Sequence, residues 1–192
     1  MADKNLVIGV SIILLILILT FYIYGYQSLV KQQTNFQNLN TTQNLAVGLA
    51  VGNLAPDFSL VDPEKGKISK KDFLGKPLFI FFTTTWCVPC QIGAQNLTRY
   101  DDEKGGNVFN VLIVFVDESE TNEQFLEWKK RFGRSDWSVA KGIEMAQAYK
   151  VQYLDTKYVF DKDGVIKWFD TKPLEYSSIK SVLEPLCGET CE

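Results

Sequence analysis

Leu78-Phe79-Ile80-Phe81-Phe82-Thr83-Thr84-Thr85-Trp86-Cys87-Val88-Pro89-Cys90 decides the fold of this chain. The run from Leu78 to Thr83 is apolar and β-prone without alternation, as a strand buried on both faces requires. Trp86-Cys87-Val88-Pro89-Cys90 follows at once, and the residues after it read as a helix to about Lys104. Such a strand needs a covering layer on each side, so this stretch already points to an α/β architecture. It also places Cys87 and Cys90 on the first turn of a helix. Backbone N–H groups there are unpaired and carry partial positive charge. They stabilise a thiolate on Cys87 and make it the attacking sulfur. Cys90, one turn inward, can close the ring and release a partner from a mixed disulfide. Pro89 suits the start of the helix and stiffens the loop.

Working outward, Asn110 to Val116 is a second buried strand, and Gly48 to Leu60 holds a loop leading into a short strand. Thr121 to Phe132 is amphipathic, with Phe125, Trp128 and Phe132 at helical spacing, Thr121 and Asn122 as caps and Gly133 as a stop. Trp137 to Ala140 is strand-like and Ile143 to Lys150 helical. Lys157–Asp161 and Val165–Phe169 read as strands joined by the tight turn Asp161-Lys162-Asp163-Gly164. A last helix from about Glu175 to Glu184 should fray at Pro185. This order predicts a central mixed β-sheet flanked by helices, with the closing hairpin supplying the antiparallel part.

The chain contains no histidine, which removes imidazole bases, Ser-His and Cys-His nucleophile pairs, and every His-ligated metal site. Its 20 basic residues against 23 acidic ones leave no electrostatic footprint for nucleic acid. Four cysteines remain as the chemically capable residues. Zinc at Cys87 and Cys90 would need two more ligands, and the other cysteines are far along the chain. The dithiol reading needs neither cofactor nor metal.

Leu6 to Tyr24 is almost wholly apolar, and Asn5 to Val30 carries no charge. About 20 apolar residues cross a bilayer as a helix. The aromatic exit Tyr22, Ile23, Tyr24, Gly25, Tyr26 resembles an interfacial belt more than a processing site. The organisation expected is therefore a transmembrane anchor at 1–26, a Gln/Asn/Thr-rich linker at 27–46, a folded domain at 47–186 and a Cys-containing tail at 187–192. A short N-terminal tail ahead of the span favours a single-pass membrane protein with its C-terminal domain outside the cytoplasm, where an oxidising space suits cysteine chemistry.

Several motifs resemble the TlpA/ResA-type branch of the thioredoxin superfamily. They are Ala55-Pro56-Asp57-Phe58, Gly75-Lys76-Pro77 and Thr85-Trp86-Cys87-Val88-Pro89-Cys90, then Val116-Asp117-Glu118, Tyr149-Lys150-Val151 and Phe160-Asp161-Lys162-Asp163-Gly164-Val165-Ile166. They occur in order across nearly all of residues 47–186. The resemblance implies a thioredoxin-like fold and a membrane-tethered, extracytoplasmic thiol–disulfide oxidoreductase, acting in cytochrome c maturation or on other exported proteins. Its partners would be protein thiols and disulfides and an upstream electron donor. Trp86 would shape the exposed rim, and the loop around Leu154–Thr156, with Asp155 and Thr156, would offer backbone to a substrate strand.

Two departures from that pattern stand out. Counting from Val151, Asp155 takes the place of the family's cis-proline, so a trans bond or a locally shifted loop is expected. A carboxylate facing Cys87 would raise the thiol's pKa, or serve as proton acceptor or metal ligand. The usual places of the family's buried acid hold Phe81 and Gly93. Cys187 and Cys191 lie outside the shared pattern and read as a local tail disulfide, a second exchanging dithiol or a copper(I) clip. The rival readings are a Sco-like copper assembly factor, a peroxiredoxin (whose active loop needs a proline where Ile80 stands) and a non-catalytic thioredoxin-like binding module.

Overall fold

The computed structural model describes residues 17–27 and 45–188. The chain divides into two units, Met1–Leu45 and Ala46–Glu192. In the first, residues 17–27 form helix α1, with Leu17, Ile18, Phe21 and Tyr22 exposed. Among the described residues no helix is long and apolar enough to cross a membrane. Most of the expected span Leu6–Tyr24, most of the expected linker and the tail beyond Gly188 lie outside the described residues.

In the second unit, strands β1 (Ser59–Asp62) and β2 (Gly66–Ser69) form an antiparallel hairpin. A 3-10 turn at Lys70–Phe73 follows, and the remaining strands and α-helices are β3 (Leu78–Thr83), α2 (Val88–Glu103), β4 (Asn110–Phe115), α3 (Asn122–Phe132), β5 (Ser138–Lys141), α4 (Ile143–Ala148), β6 (Thr156–Phe160), β7 (Ile166–Asp170) and α5 (Tyr176–Cys187). The main sheet runs β5-β4-β3-β6-β7. Strands β3, β4 and β5 are mutually parallel, β6 is antiparallel to β3, and β7 is antiparallel to β6. The mixed sheet and flanking helices expected from the sequence are both present.

Strand β3 lies at the centre because every one of its residues is buried. Successive side chains of a strand point to opposite faces. Phe79 and Phe81 therefore join one core, with Cys90, Ala94 and Leu97 of α2, Phe125 and Trp128 of α3, and Ile179 and Leu183 of α5. Leu78, Ile80 and Phe82 join the other, beneath Met145 and Ala146 of α4 and Leu60 and Ile68 of the hairpin. Stacking of Phe115 on Phe125, with centroids 4.2 Å apart, fixes α3 against β4. The N-terminus of α3 is closed by a capping box, in which Thr121 and Gln124 each accept the other's backbone N–H.

Two elements differ from the sequence reading. Strand β2 was not expected, since Gly66-Lys67-Ile68-Ser69 offers one apolar residue. Asp62 organises it: one carboxylate oxygen accepts from the N–H groups of Glu64 and Lys65 at the turn, and the other accepts from Val139 on β5. Helix α5 does not end at Pro185 but continues to Cys187. Proline removes one hydrogen bond in the last turn, and burial of Ile179, Leu183 and Cys187 on one side of α5 holds the turn in register.

The approach of the segment between β7 and α5 to α2 depends on Gly93, where a Cβ would stand 2.9 Å from Leu174 Cβ and 3.6 Å from the Phe81 ring. Alanine is the better helix former by about 1 kcal/mol, yet Gly93→Ala should destabilise the protein by about 1–3 kcal/mol through overpacking. Urea unfolding of the two proteins checks this, with a lower midpoint expected for the variant.

Candidate active site

The site is built where β3 ends and α2 begins. Cys87 is the N-cap of α2, with extended backbone, and Pro89 lies within the first two helical positions. The Cys87 N–H donates to the Thr84 carbonyl at 3.3 Å, and its own carbonyl accepts from Gln91 N–H at 3.0 Å. Cys87 and Cys90 are joined in a disulfide. Cys87 keeps 7% of its surface exposed and Cys90 none, so a partner sulfur can reach the first cysteine alone. The free N–H groups at the start of α2 supply the partial charge that favours a Cys87 thiolate.

Trp86 and Val88 flank Cys87 in the chain. Trp86, Val88, Ile92 and Tyr153 are each more than half exposed. The indole of Trp86 is latched by Nε1–H donation to Asp117 Oδ2 at 3.0 Å, while Asp117 Oδ1 accepts from the backbone and hydroxyl of Ser119. Those hydrogen bonds, Ser119's first, hold the Asp117 carboxyl below the ordinary aspartate range.

Asp155 stands in a trans chain, since the described residues include no cis peptide bond, and it adopts the left-handed region at φ 66°. Aspartate tolerates that region better than most residues. Its carboxyl does not stand free: Lys157 Nζ donates to Asp155 Oδ1 at 2.6 Å, to the Asp155 carbonyl, and to the Lys172 carbonyl at 2.6 Å. Lys157 is fully buried and its ammonium lies 5.4 Å from the centre of the Phe81 ring. Burial pushes the Asp155 carboxyl up and the Lys157 ammonium down from their usual values, against the pull of their mutual hydrogen bond. Asp155 Oδ2 is buried with no partner. Thr156, also buried, donates its hydroxyl to the Tyr153 carbonyl at 2.7 Å and closes the turn.

Lys157 escaped the sequence reading. The signal was there: in Thr-Lys-Tyr-Val-Phe, period-two alternation puts Lys157 on the face of Val159, which belongs to the same core as both cysteines. The ion pair fastens the turn at Asp155 to the segment after β7, whose Leu174 packs on α2. Phe81 and Gly93, the usual places of the family's buried acid, pack against each other as neutral neighbours.

Cys187 is disulfide-bonded, and Cys191 lies outside the described residues. Among the described residues no three Cys, Asp or Glu side chains are grouped to hold a metal ion.

Residues 51–169 match the model of the AhpC/TSA family. The chain is similar to the thiol-disulfide oxidoreductase ResA of Geobacillus thermodenitrificans (strain NG80-2), with 33% identity over 147 residues, covering 76% of this chain and 82% of that protein. It is also 33% identical over 123 residues to ResA of Bacillus thuringiensis subsp. konkukian (strain 97-27), covering 62% of this chain and 68% of that one. Among solved structures it is similar in fold to a thiol:disulfide interchange protein of the thioredoxin family from Chlorobium tepidum TLS. That match has a TM-score of 0.62 at 20% identity and covers 72% of this chain and 99% of the other.

Two outcomes test this geometry. Lys157→Met strands the Asp155 carboxyl in the interior and should cost about 3–5 kcal/mol in urea unfolding. Asp155→Gly combined with Lys157→Met removes both charges and suits the positive φ, so it should recover most of that loss. Asp117 has a depressed pKa in the folded state, so its contribution is present above the unfolded value and is lost as pH falls through the folded one. The Trp86 latch should therefore persist at pH 5 and release only below the ordinary aspartate pKa of about 3.9. Tryptophan fluorescence of the protein, referenced to Trp86→Phe, reads the release.

Proposed function

Because the chain belongs to the AhpC/TSA family and is a thiol–disulfide oxidoreductase of the ResA type, we propose that it exchanges disulfides with exported proteins from a membrane-anchored position outside the cytoplasm. The observation that carries this is the setting of Cys87: it caps a helix directly after the central strand and is the more exposed member of the Cys87–Cys90 pair.

In the reducing direction, the Cys87 thiolate attacks one sulfur of a partner disulfide. A Cys87–partner disulfide forms, and the other partner sulfur leaves as a thiolate and takes up a proton. Cys90 then loses its proton and attacks the Cys87 sulfur, which releases the second partner thiol. Two electrons and two protons pass to the partner, and the Cys87–Cys90 disulfide returns. An upstream thiol donor reverses these steps to recharge the dithiol.

The partner class is supported by the exposed apolar side chains on either side of Cys87, Trp86 and Val88, which suit a polypeptide segment better than a small charged thiol. Precursors of c-type cytochromes and other exported disulfide proteins are the partners that the resemblance to ResA implies. Anchoring is supported by the uncharged run Asn5–Val30 and by the exposed apolar side chains of α1, which water penalises and lipid accepts.

Cys87→Ser should abolish reduction of a protein disulfide such as insulin. Cys90→Ser should accumulate mixed disulfides through Cys87, visible as reductant-sensitive adducts on non-reducing gels. Wild-type turnover in either variant contradicts the reading. Membrane fractionation of the full chain and protease accessibility of its C-terminal unit test the location, with resistance in intact cells arguing against it.

A further inference from the structure

A second buried acid lies beside the redox loop. Glu120, in the segment between β4 and α3, keeps 3% of its surface exposed. Its Oε1 accepts two hydrogen bonds from one residue, the N–H of Thr85 at 2.5 Å and the hydroxyl of Thr85 at 2.6 Å. Its Oε2 is buried without a partner. The carbonyl of Thr85 accepts from Gln91 Nε2 at 2.8 Å, so both peptide units of Thr85 are held by side chains. Thr85 stands two residues before Cys87, and the Trp86 between them is held by Asp117 from the same segment.

Glu120 is tied to the sheet through α3. It precedes Thr121, whose capping box starts α3, and α3 is fixed to the sheet by Phe125 on Phe115. A buried carboxyl with one unfilled oxygen is a cost that a fold does not need for packing. Both bonds of Glu120 go to the turn that delivers Cys87 to the helix N-terminus.

We propose that Glu120 is a positioning residue for the exchange reaction. Through Thr85 it sets the turn that points the Cys87 sulfur outward and keeps it over the N–H groups of α2. This rests on the reading that Cys87 is the attacking sulfur, and it goes beyond that reading by adding a residue that touches neither sulfur. What matters is the acceptor oxygen at that place, not the charge. An amide oxygen at the same position accepts the same two bonds.

The test measures the rate at which the reduced protein reduces the disulfides of insulin, across pH, in the wild type and variants. Near-UV circular dichroism checks that each is folded. Glu120→Ala should slow exchange about tenfold to a hundredfold, the scale of a misplaced reacting group. It should also shift the pH midpoint of the rate upward, because Cys87 drifts from the helix N-terminus. Glu120→Gln should stay within about threefold of wild type with its midpoint unmoved. Should Glu120→Ala not fold, Glu120→Asp keeps the carboxyl but draws it back by a methylene, and it should slow exchange about tenfold. A folded Glu120→Ala, or in its place Glu120→Asp, with wild-type rate and midpoint overturns the proposal. So does a Glu120→Gln as slow as Glu120→Ala. A wild type that exchanges no faster than its Cys87→Ser variant overturns instead the assignment of Cys87 as the attacking sulfur.

Discussion

Everything in the folded unit depends on β3 being buried on both faces and ending where a helix must begin. An all-apolar strand is stable only at the middle of a sheet with a layer above and below. The register of β3 between β4 and β6 supplies the first condition. The helices α2, α3 and α5 on one face, with α4 and the β1–β2 hairpin on the other, supply the second. The chain leaves the strand at Thr83 and enters α2 at Val88, so Cys87 sits at the sheet's end beside the first N–H groups of the helix, which have no partner within it. Cysteine at that junction is chemically distinct from cysteine elsewhere in the fold.

Around this junction the molecule places polar contacts made by residues far away in sequence. Asp117 and Glu120 reach from the end of β4 to Trp86 and Thr85. Lys157 gathers the Asp155 turn and the Lys172 carbonyl. A buried lysine and aspartate, each shifted toward its neutral form by burial, would be a poor way to gain stability alone. The pair instead fixes the shape of the turn at Asp155, where the chain passes through a positive φ. The carboxyl that replaces the family's proline is thereby turned to Lys157.

Much of this was legible in the sequence. Apolar continuity located β3 and β4, helical spacing of Phe125, Trp128 and Phe132 located α3, and Thr121 and Gly133 marked its ends as the structure has them. The junction of strand, Cys-x-x-Cys and helix was readable because each part is local. The contacts that finish the site were not. Asp117-Glu118-Ser119-Glu120 reads as a solvated turn, and no local feature says that Asp117 and Glu120 face the loop. Their partners are 31 and 35 residues away. Strand β2 was missed because its place is set by Asp62 and by pairing to β1, not by its own apolar content. The run through Pro185 was missed because packing outweighed a rule about isolated helices.

The central claim is that the two cysteines of one short loop are chemically unequal because of where strand and helix meet. Site-resolved alkylation of the fully reduced protein at pH 7, read by mass spectrometry, measures that inequality directly. Cys87 should be labelled well before Cys90, which stays protected inside the folded unit. Equal labelling of the two, or labelling of Cys90 first, would contradict the account.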